Sequence, residues 1–238
     1  MNIVVFGANG GTGRLLARQA AEAGHIVTAV TRHPETFPIE HENLRVIEGD
    51  VYELADVERA IEGADAVIST LGVPYGRKPI TIYSQGTGNI ISAMRSHSIR
   101  RLLCVSSSAT DPATRFHDTG GGFLFEKVLK PIITRTIGKQ TYADMLRMER
   151  LVSASGLDWT IARPSGLFET DAVTAYETAE GFLPRQYTSR ADLADALLRA
   201  AEDRTADERW VGKTMAVGTV DPQPRVLDLM RQEAFQRG

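Results

Sequence analysis

The chain has 238 residues, a formal charge of −3 and one cysteine, Cys104. That length suits one large α/β domain with a small appendage. Its 27 Lys and Arg are spread along the chain, so no basic footprint for a nucleic acid is expected. The longest apolar runs are strand-length and the N-terminus enters a strand at once, so neither a signal peptide nor a membrane span is expected. A lone cysteine inside an apolar strand pattern forbids an internal disulfide, and reads as a buried, inert core residue of a cytoplasmic protein.

Asn2-Ile3-Val4-Val5-Phe6 is an uncharged apolar run that suits a strand buried on both faces. It leads into Gly7-Ala8-Asn9-Gly10-Gly11-Thr12-Gly13, and then into the helical pattern Arg14 to Ala21. Strand, glycine-rich turn and helix in that order are the context of a dinucleotide fingerprint, here spaced G-x-x-G-x-x-G. Gly7 is expected to make the tight turn, and Gly10 to let a pyrophosphate approach the backbone. Gly13 would let the helix pack closely on the strand. The helix N-terminus adds N–H groups and partial positive charge, and Asn9, Gly11 and Thr12 complete the cradle.

The helix closes near Gly24, and Ile26 to Val30 is a second strand that runs out at Thr31-Arg32-His33-Pro34. An NAD site places a carboxylate about 20 residues past the glycines. Here Thr31 and Arg32 stand instead, with no carboxylate before Glu35. An arginine pairs the 2′-phosphate that a carboxylate would repel, so NADP(H) is the expected cofactor. The alternative is that Arg32 is a solvated residue at a strand end.

Leu44 to Glu48 is a third strand, followed by Gly49-Asp50-Val51 at the cofactor edge. Asp50 either contacts the adenine amino group or caps the helix through Leu54, Val57 and Ile61. Ala66 to Thr70 is the fourth strand; in a doubly wound sheet it lies beside the first, so Leu71 and Gly72 border the cofactor. Ser84 to Arg95 reads as a helix with Ile90, Ile91 and Met94 inward, and with Gly86 and Gly88 permitting close packing. Arg101 to Val105 is the fifth strand, ending in Ser106-Ser107-Ser108, whose hydroxyls either cap a turn or bond a substrate. Ala109 to Thr141 is the least regular stretch. Gly120-Gly121-Gly122 would allow a mobile loop, and Phe123 to Ile133 forms either a lid or a packed surface excursion.

Tyr142 to Ser155 has helical spacing in Met145, Met148, Leu151 and Val152, and stops at Gly156. Asp158 to Pro164 is the sixth strand and Val173 to Tyr176 a short one. Ser189 caps a helix through Leu193, Ala196, Leu197 and Ala200. Thr214 to Val217 would be a last strand and Val226 to Phe235 a closing helix. The expected architecture is one α/β domain over 1–238, a doubly wound parallel sheet of the Rossmann type. Residues 165–190 and 205–238 would form a small appendage on the substrate side.

Several of these stretches together resemble an atypical short-chain dehydrogenase/reductase: Gly7 to Gly13, Thr31-Arg32, Gly49-Asp50-Val51, Ser69-Thr70-Leu71-Gly72, Ser106-Ser107-Ser108 and Gly156 to Pro164. The resemblance is to the NAD(P)H-binding group that includes NmrA-like proteins and the flavin-reductase type of biliverdin reductase. It covers nearly the whole chain, and implies a Rossmann fold, NADP(H), and reduction of a flavin, quinone or similar conjugated small-molecule acceptor. Ordinary members carry Tyr-x-x-x-Lys, where the lysine lowers the tyrosine pKa for proton transfer. None of the six tyrosines here has Lys four residues later; after Tyr142 that position is Leu146. Alcohol oxidation by the Ser-Tyr-Lys route is therefore not expected. Hydride transfer to a flavin or quinone needs mainly ring stacking at the right distance.

Ser107 and Tyr142 are the candidate catalytic groups, with a turn cap and a helix-start packing residue as the alternatives. Ser106 and Pro164 are assigned to the cofactor pocket. The rival readings are a catalytically silent NADP(H) sensor, and an epimerase or dehydratase that retains its cofactor. A monomer or small homo-oligomer is expected.

Overall fold

Side chains alternate along β1 (Asn2–Phe6), so Ile3 and Val5 enter one core layer and Val4 and Phe6 the other. All four are at most 3% exposed, which is why these positions are apolar, while the exposed Asn2 opens the strand. The computed structural model describes residues 1–74, 76, 78–115, 138–203 and 209–224.

Around β1 lie β2 (Ile26–Thr31), β3 (Leu44–Glu48), β4 (Ala66–Ser69), β5 (Arg101–Val105) and β6 (Asp158–Pro164), all parallel, in the order β3-β2-β1-β4-β5-β6. The order reverses between β1 and β4. That reversal opens a crevice at the carboxyl ends of the strands, the position in which open α/β sheets bind ligands. After β6 come the short β7 (Gly166–Phe168), β8 (Ala175–Glu180), the short β9 (Tyr187–Ser189) and β10 (Lys213–Asp221). β10 extends the main sheet parallel to β6, and β8 closes its edge antiparallel to β10. β7 and β9 pair as a separate two-stranded ribbon.

Helices α1 (Gly11–Glu22) and α5 (Arg190–Glu202) share one core layer, through Leu16, Ala17, Ala20, Leu193, Ala194 and Leu197. Helices α2 (Leu54–Ile61), α3 (Ile82–Ser96) and α4 (Lys139–Ser153) share the other, through Val57, Ile61, Ile90, Met94, Met145 and Met148. Ser189 caps α5 as its sequence suggests, accepting from the Asp192 N–H at 3.0 Å. Cys104 is 1% exposed, and burial pushes its thiol up to about 12, against a lowering hydrogen bond with Thr87. It is an inert core residue.

Several expectations need correction. Leu151 is 44% exposed, and the acidic Glu149 is buried on that stretch of α4. Leu54 is also 40% exposed. The fourth strand ends at Ser69, since Thr70 turns to bond Phe6 and Gly7. The strand expected at Val173 to Tyr176 starts at Ala175 and continues to Glu180, while β10 outruns its expected limits on both sides. Gly86 does permit close packing, against Val51 and Leu71, whereas a Cβ at Gly88 would meet open space. The segment Phe123 to Ile133 and the helix expected at Val226 to Phe235 lie outside the described residues.

The glycine turn after β1 is the tightest place in the fold. Gly7 has φ +74°, and a Cβ there would lie 2.8 Å from Thr70 backbone atoms. A Cβ on Gly13 would lie 2.3 Å from the Gly7 carbonyl oxygen, but one on Gly10 meets only that same oxygen at 3.3 Å. Gly13→Ala should therefore destabilise the fold by about 3 kcal/mol, the upper range for overpacking. Gly10→Ala should stay within about 1 kcal/mol of the native chain. Denaturant unfolding of the two variants checks this order, and equal stabilities would contradict it.

Candidate cofactor site

Gly10 is the N-cap of α1 and brings no side chain to the helix end. The first intrahelical bond runs from Arg14 N–H to the Gly10 carbonyl at 2.9 Å. No described residue accepts from the N–H groups of Gly11, Thr12 or Gly13. Three backbone donors and the positive end of the helix thus stand at the crevice without an acceptor. Natural helices usually satisfy this end with Ser, Thr, Asp or Asn. A bare glycine end beside a sheet switch point fits an anionic ligand group of diphosphate type.

From that turn a polar chain leads to the end of β2. Asn9 Oδ1 accepts from Arg14 Nε and Nη2 at 2.9 and 2.6 Å, and Asn9 Nδ2 donates to Thr36 Oγ1 at 2.6 Å. Thr36 Oγ1 in turn donates to the His33 carbonyl at 2.9 Å. Asn9 is therefore a bracket that holds Arg14 toward the loop after β2. Arg32 lies in that loop, exposed, with no hydrogen-bonding or ionic partner among the described residues. Arg14 and the loop that carries Arg32 thus share one corner of the crevice, and Glu35, the nearest carboxylate in sequence, is paired with His33 at 3.4 Å.

On the next strand ends, Asp50 Oδ1 accepts from the Tyr52 N–H at 3.0 Å, which closes an Asx turn. It does not cap α2, whose N-cap is Glu53. Val51 is buried against α3, and Asn89 fixes the loop by donating to the Val51 and Tyr52 carbonyls, both at 3.0 Å. After β4, Thr70 Oγ1 donates to the Phe6 carbonyl at 3.0 Å and lies 3.2 Å from that of Gly7. Leu71 is half-buried there and Gly72 is exposed. The fold therefore brings Gly7, Asn9, Gly10, Gly11, Thr12, Gly13, Arg32, Asp50, Val51, Leu71 and Gly72 to the carboxyl edge of one sheet.

The serines after β5 divide. Ser107 Oγ accepts from the Ala109 N–H at 3.2 Å, so it caps the turn that follows, with its hydroxyl proton left to donate. Ser106 is buried and donates to Glu149 Oε1 at 2.6 Å. Glu149 is the residue that the sequence reading missed. Its Oε1 also lies 2.7 Å from Thr110 Oγ1, and Arg163 Nη2 donates to its Oε2 at 2.7 Å. Arg163 Nη1 reaches Asp111 Oδ2 at 2.9 Å. Burial opposes the charge on Arg163, but the two carboxylates outweigh it and hold the guanidinium above its ordinary value. Both acids are thereby engaged by one guanidinium. Pro164, the last residue of β6, is buried next to this cluster. Ser108, Asp111, Arg163, Ser165, Phe182 and Leu183 line a small cleft just beyond. Tyr142, in the first turn of α4, packs half-buried against the apolar layer of Met145 and Met148.

The missed cluster had a signal. Asp144, Met145, Met148, Glu149 and Val152 share one helical stripe, and all five are buried. Asp144 accepts from the Tyr83 and Ser84 N–H groups and from the Ser84 hydroxyl, so it caps the start of α3 from a neighbouring helix.

A family model described as NAD(P)H-binding matches residues 7–204. The chain is 28% identical over 173 residues to an uncharacterized chloroplastic protein of Arabidopsis thaliana, a match that spans 69% of this chain and 59% of that protein. It is 27% identical over 218 residues to the uncharacterized sugar epimerase YhfK of Bacillus subtilis, covering 88% and 92% of the two chains. Among solved structures it is similar to a short-chain dehydrogenase/reductase of Veillonella parvula in complex with NADP, with TM-score 0.74, 20% identity and 92% and 95% coverage. It is similar also to ChuY, an anaerobillin reductase of Escherichia coli O157:H7, with TM-score 0.70, 19% identity and 94% and 100% coverage. At those identities the structures speak for the fold, and the match over residues 7–204 speaks for the family. The chain belongs to the NAD(P)H-binding family, and its fold is of the Rossmann type.

Proposed function

We propose that the protein is an NADPH-dependent reductase that passes a hydride to a flavin, a quinone or a similar conjugated small acceptor. The observation that carries this reading is the contrast between the two halves of the crevice. One half offers three unaccepted N–H groups and two arginines, and the other offers no tyrosine–lysine pair and two acids locked by Arg163. Bound NADPH supplies the hydride, and the protein's part is to hold and orient. Gly10 to Gly13 would carry the diphosphate, and Arg14 and Arg32 the 2′-phosphate. Leu71, Gly72 and Pro164 would border the nicotinamide half, with the Ser107 hydroxyl as a donor toward the acceptor. The segment 165–190 would form the acceptor's wall. Without a Tyr-x-x-x-Lys pair, acceptors that stabilise the incoming charge by conjugation and draw protons from solvent are favoured. ChuY, a reductase, shares the fold, which supports the same class of reaction. The family, the reduced thiol and the small-molecule chemistry together suit a cytoplasmic enzyme.

Three outcomes are expected. NADPH oxidation, followed by absorbance, should appear with FMN, FAD or simple quinones and be absent with aliphatic ketones, and NADP⁺ should not oxidise alcohols. Tight NADPH binding with no consumption across all acceptors would instead make the protein a sensor.

Gly10→Val should remain folded yet lose NADPH, because its branched side chain occupies the approach to the helix N-terminus. Unchanged affinity in that variant would remove the glycine turn from the site.

The 2′-phosphate gives the third. Charge-assisted hydrogen bonds to a guanidinium contribute roughly 1.5–3 kcal/mol each, so NADH should bind about ten- to a hundredfold more weakly than NADPH. Arg32→Ala combined with Arg14→Ala should erase that ratio, and Arg32→Asp should invert it. Titrations at two salt concentrations check this, since an exposed pair is screened. A constant ratio across the variants would make Arg32 a surface residue only.

A further inference from the structure

We propose that Arg190 is a diphosphate ligand, held at the glycine turn by Glu169 until the anion arrives; this rests on the NADP(H) reading above. Nothing in the sequence pattern singled out either residue.

Arg190 is the first residue of α5, and its backbone is fixed on both sides. Ser189 is fully buried, receives a bond at its Oγ from Asp192 N–H at 3.0 Å, and donates its own N–H to Thr219 Oγ1 at 2.8 Å. Gln19 of α1 donates to the Ala191 carbonyl at 3.2 Å, which ties the start of α5 to α1. From this anchor the Arg190 side chain runs along the bare α-carbon of Gly11. A Cβ on Gly11 would lie 3.0 Å from Arg190 Cδ and 3.1 Å from Nε. Arg190 Nη1 donates to Thr12 Oγ1 at 3.4 Å. Gly11 therefore does more than spare the backbone: its missing side chain is the space the arginine uses.

The guanidinium thus sits beside two of the three residues whose N–H groups have no acceptor, Gly11 and Thr12. Its counter-ion is Glu169, with Oε1 2.6 Å from Nε. The pair is close but misaligned, for Nε is sealed from solvent and has no hydrogen-bond partner among the described residues. Glu169 Oε1 also lies 3.4 Å from the Cβ position of Gly11, so a carboxylate stands near where an anion would dock. A diphosphate over Gly11 to Gly13 competes with Glu169 for the guanidinium and repels the carboxylate. The planar fork of arginine suits two phosphate oxygens better than this one misaligned contact. The crevice then has two basic poles, Arg14 with Arg32 at one end and Arg190 at the other.

The competing account is a structural latch, in which Arg190 and Glu169 only tie residues 165–190 to α1. The two accounts differ in sign. A latch is weakened alike by losing either partner, whereas a ligand arginine with a competing carboxylate gives opposite effects. The test is calorimetric titration of the full chain and of Arg190→Ala, Arg190→Lys and Glu169→Gln. The probes are NADPH, ADP-ribose (diphosphate without 2′-phosphate) and 2′-AMP (2′-phosphate without diphosphate), the last by competition. Arg190→Ala should weaken NADPH and ADP-ribose about tenfold and leave 2′-AMP unchanged, and Arg190→Lys should recover part of the loss. Glu169→Gln should tighten both diphosphate probes. If Arg190→Ala does not fold, the Lys and Gln variants decide by the same signs. Equal weakening by Glu169→Gln and the arginine variants, or no change in any of them while the native chain binds NADPH, would overturn the proposal alone. Absence of NADPH binding by the native chain would overturn the cofactor reading and this inference with it.

Discussion

The contact between the Gly7 carbonyl and the α-carbon of Gly13 sets the position of nearly everything else in the crevice. With only 2.3 Å between that oxygen and a would-be Cβ, α1 starts as close to the end of β1 as a backbone allows. Thr70 closes the turn from the other side through the Phe6 and Gly7 carbonyls. Because the helix begins there, its unaccepted N–H groups open at the sheet's switch point, and its first turn puts Arg14 within reach of Asn9. Asn9 then hooks the loop after β2 through Thr36. One steric demand on two glycines thus leaves three unaccepted N–H groups with a basic corner beside them.

The second half of the site is organised by charge instead. Glu149, Asp111 and Arg163 are each at most 13% exposed at the side chain, so none is well solvated. Ions that deep are kept only by their partners, and removing one partner from such a pair typically costs about 3–5 kcal/mol. The cluster joins the ends of β5 and β6 to α4, and fixes the Ser107 turn through Thr110. Its carboxylates are used up in doing so. The missing Tyr-x-x-x-Lys pair, rather than these acids, is the basis for favouring conjugated acceptors.

The sheet was readable because parallel strands buried on both faces must be continuous apolar runs. β1 and the centre of β5 are such runs, while β3 and β6, which carry charges and are partly exposed, begin and end where their β-branched and aromatic residues place them. The glycine turn was readable because its spacing reports a backbone requirement. β7 and β9 were not, since three residues carry no period. Asp144, Asp192 and Glu149 were missed for a different reason. Each is a charged residue on a buried stripe with hydrogen-bond donors from other segments of the chain, as Arg163 and Ser106 are for Glu149 and Ser84 is for Asp144. Arg190 illustrates the same limit, for its partner is a missing side chain at Gly11, 179 positions earlier by subtraction of the two residue numbers. Asp50 shows a milder failure, in which a capping residue was foreseen and the turn it caps was not.

The central claim is that one nucleotide spans the crevice from the β2 corner to the Ser107 turn. A crystal structure of the protein grown with NADPH tests it most directly. The account predicts the diphosphate over the N–H groups of Gly11, Thr12 and Gly13, the 2′-phosphate between Arg14 and Arg32, and the nicotinamide beside Ser107 and Pro164. A nucleotide bound with its adenosine half away from Arg32, or seated anywhere other than the glycine turn, would contradict it.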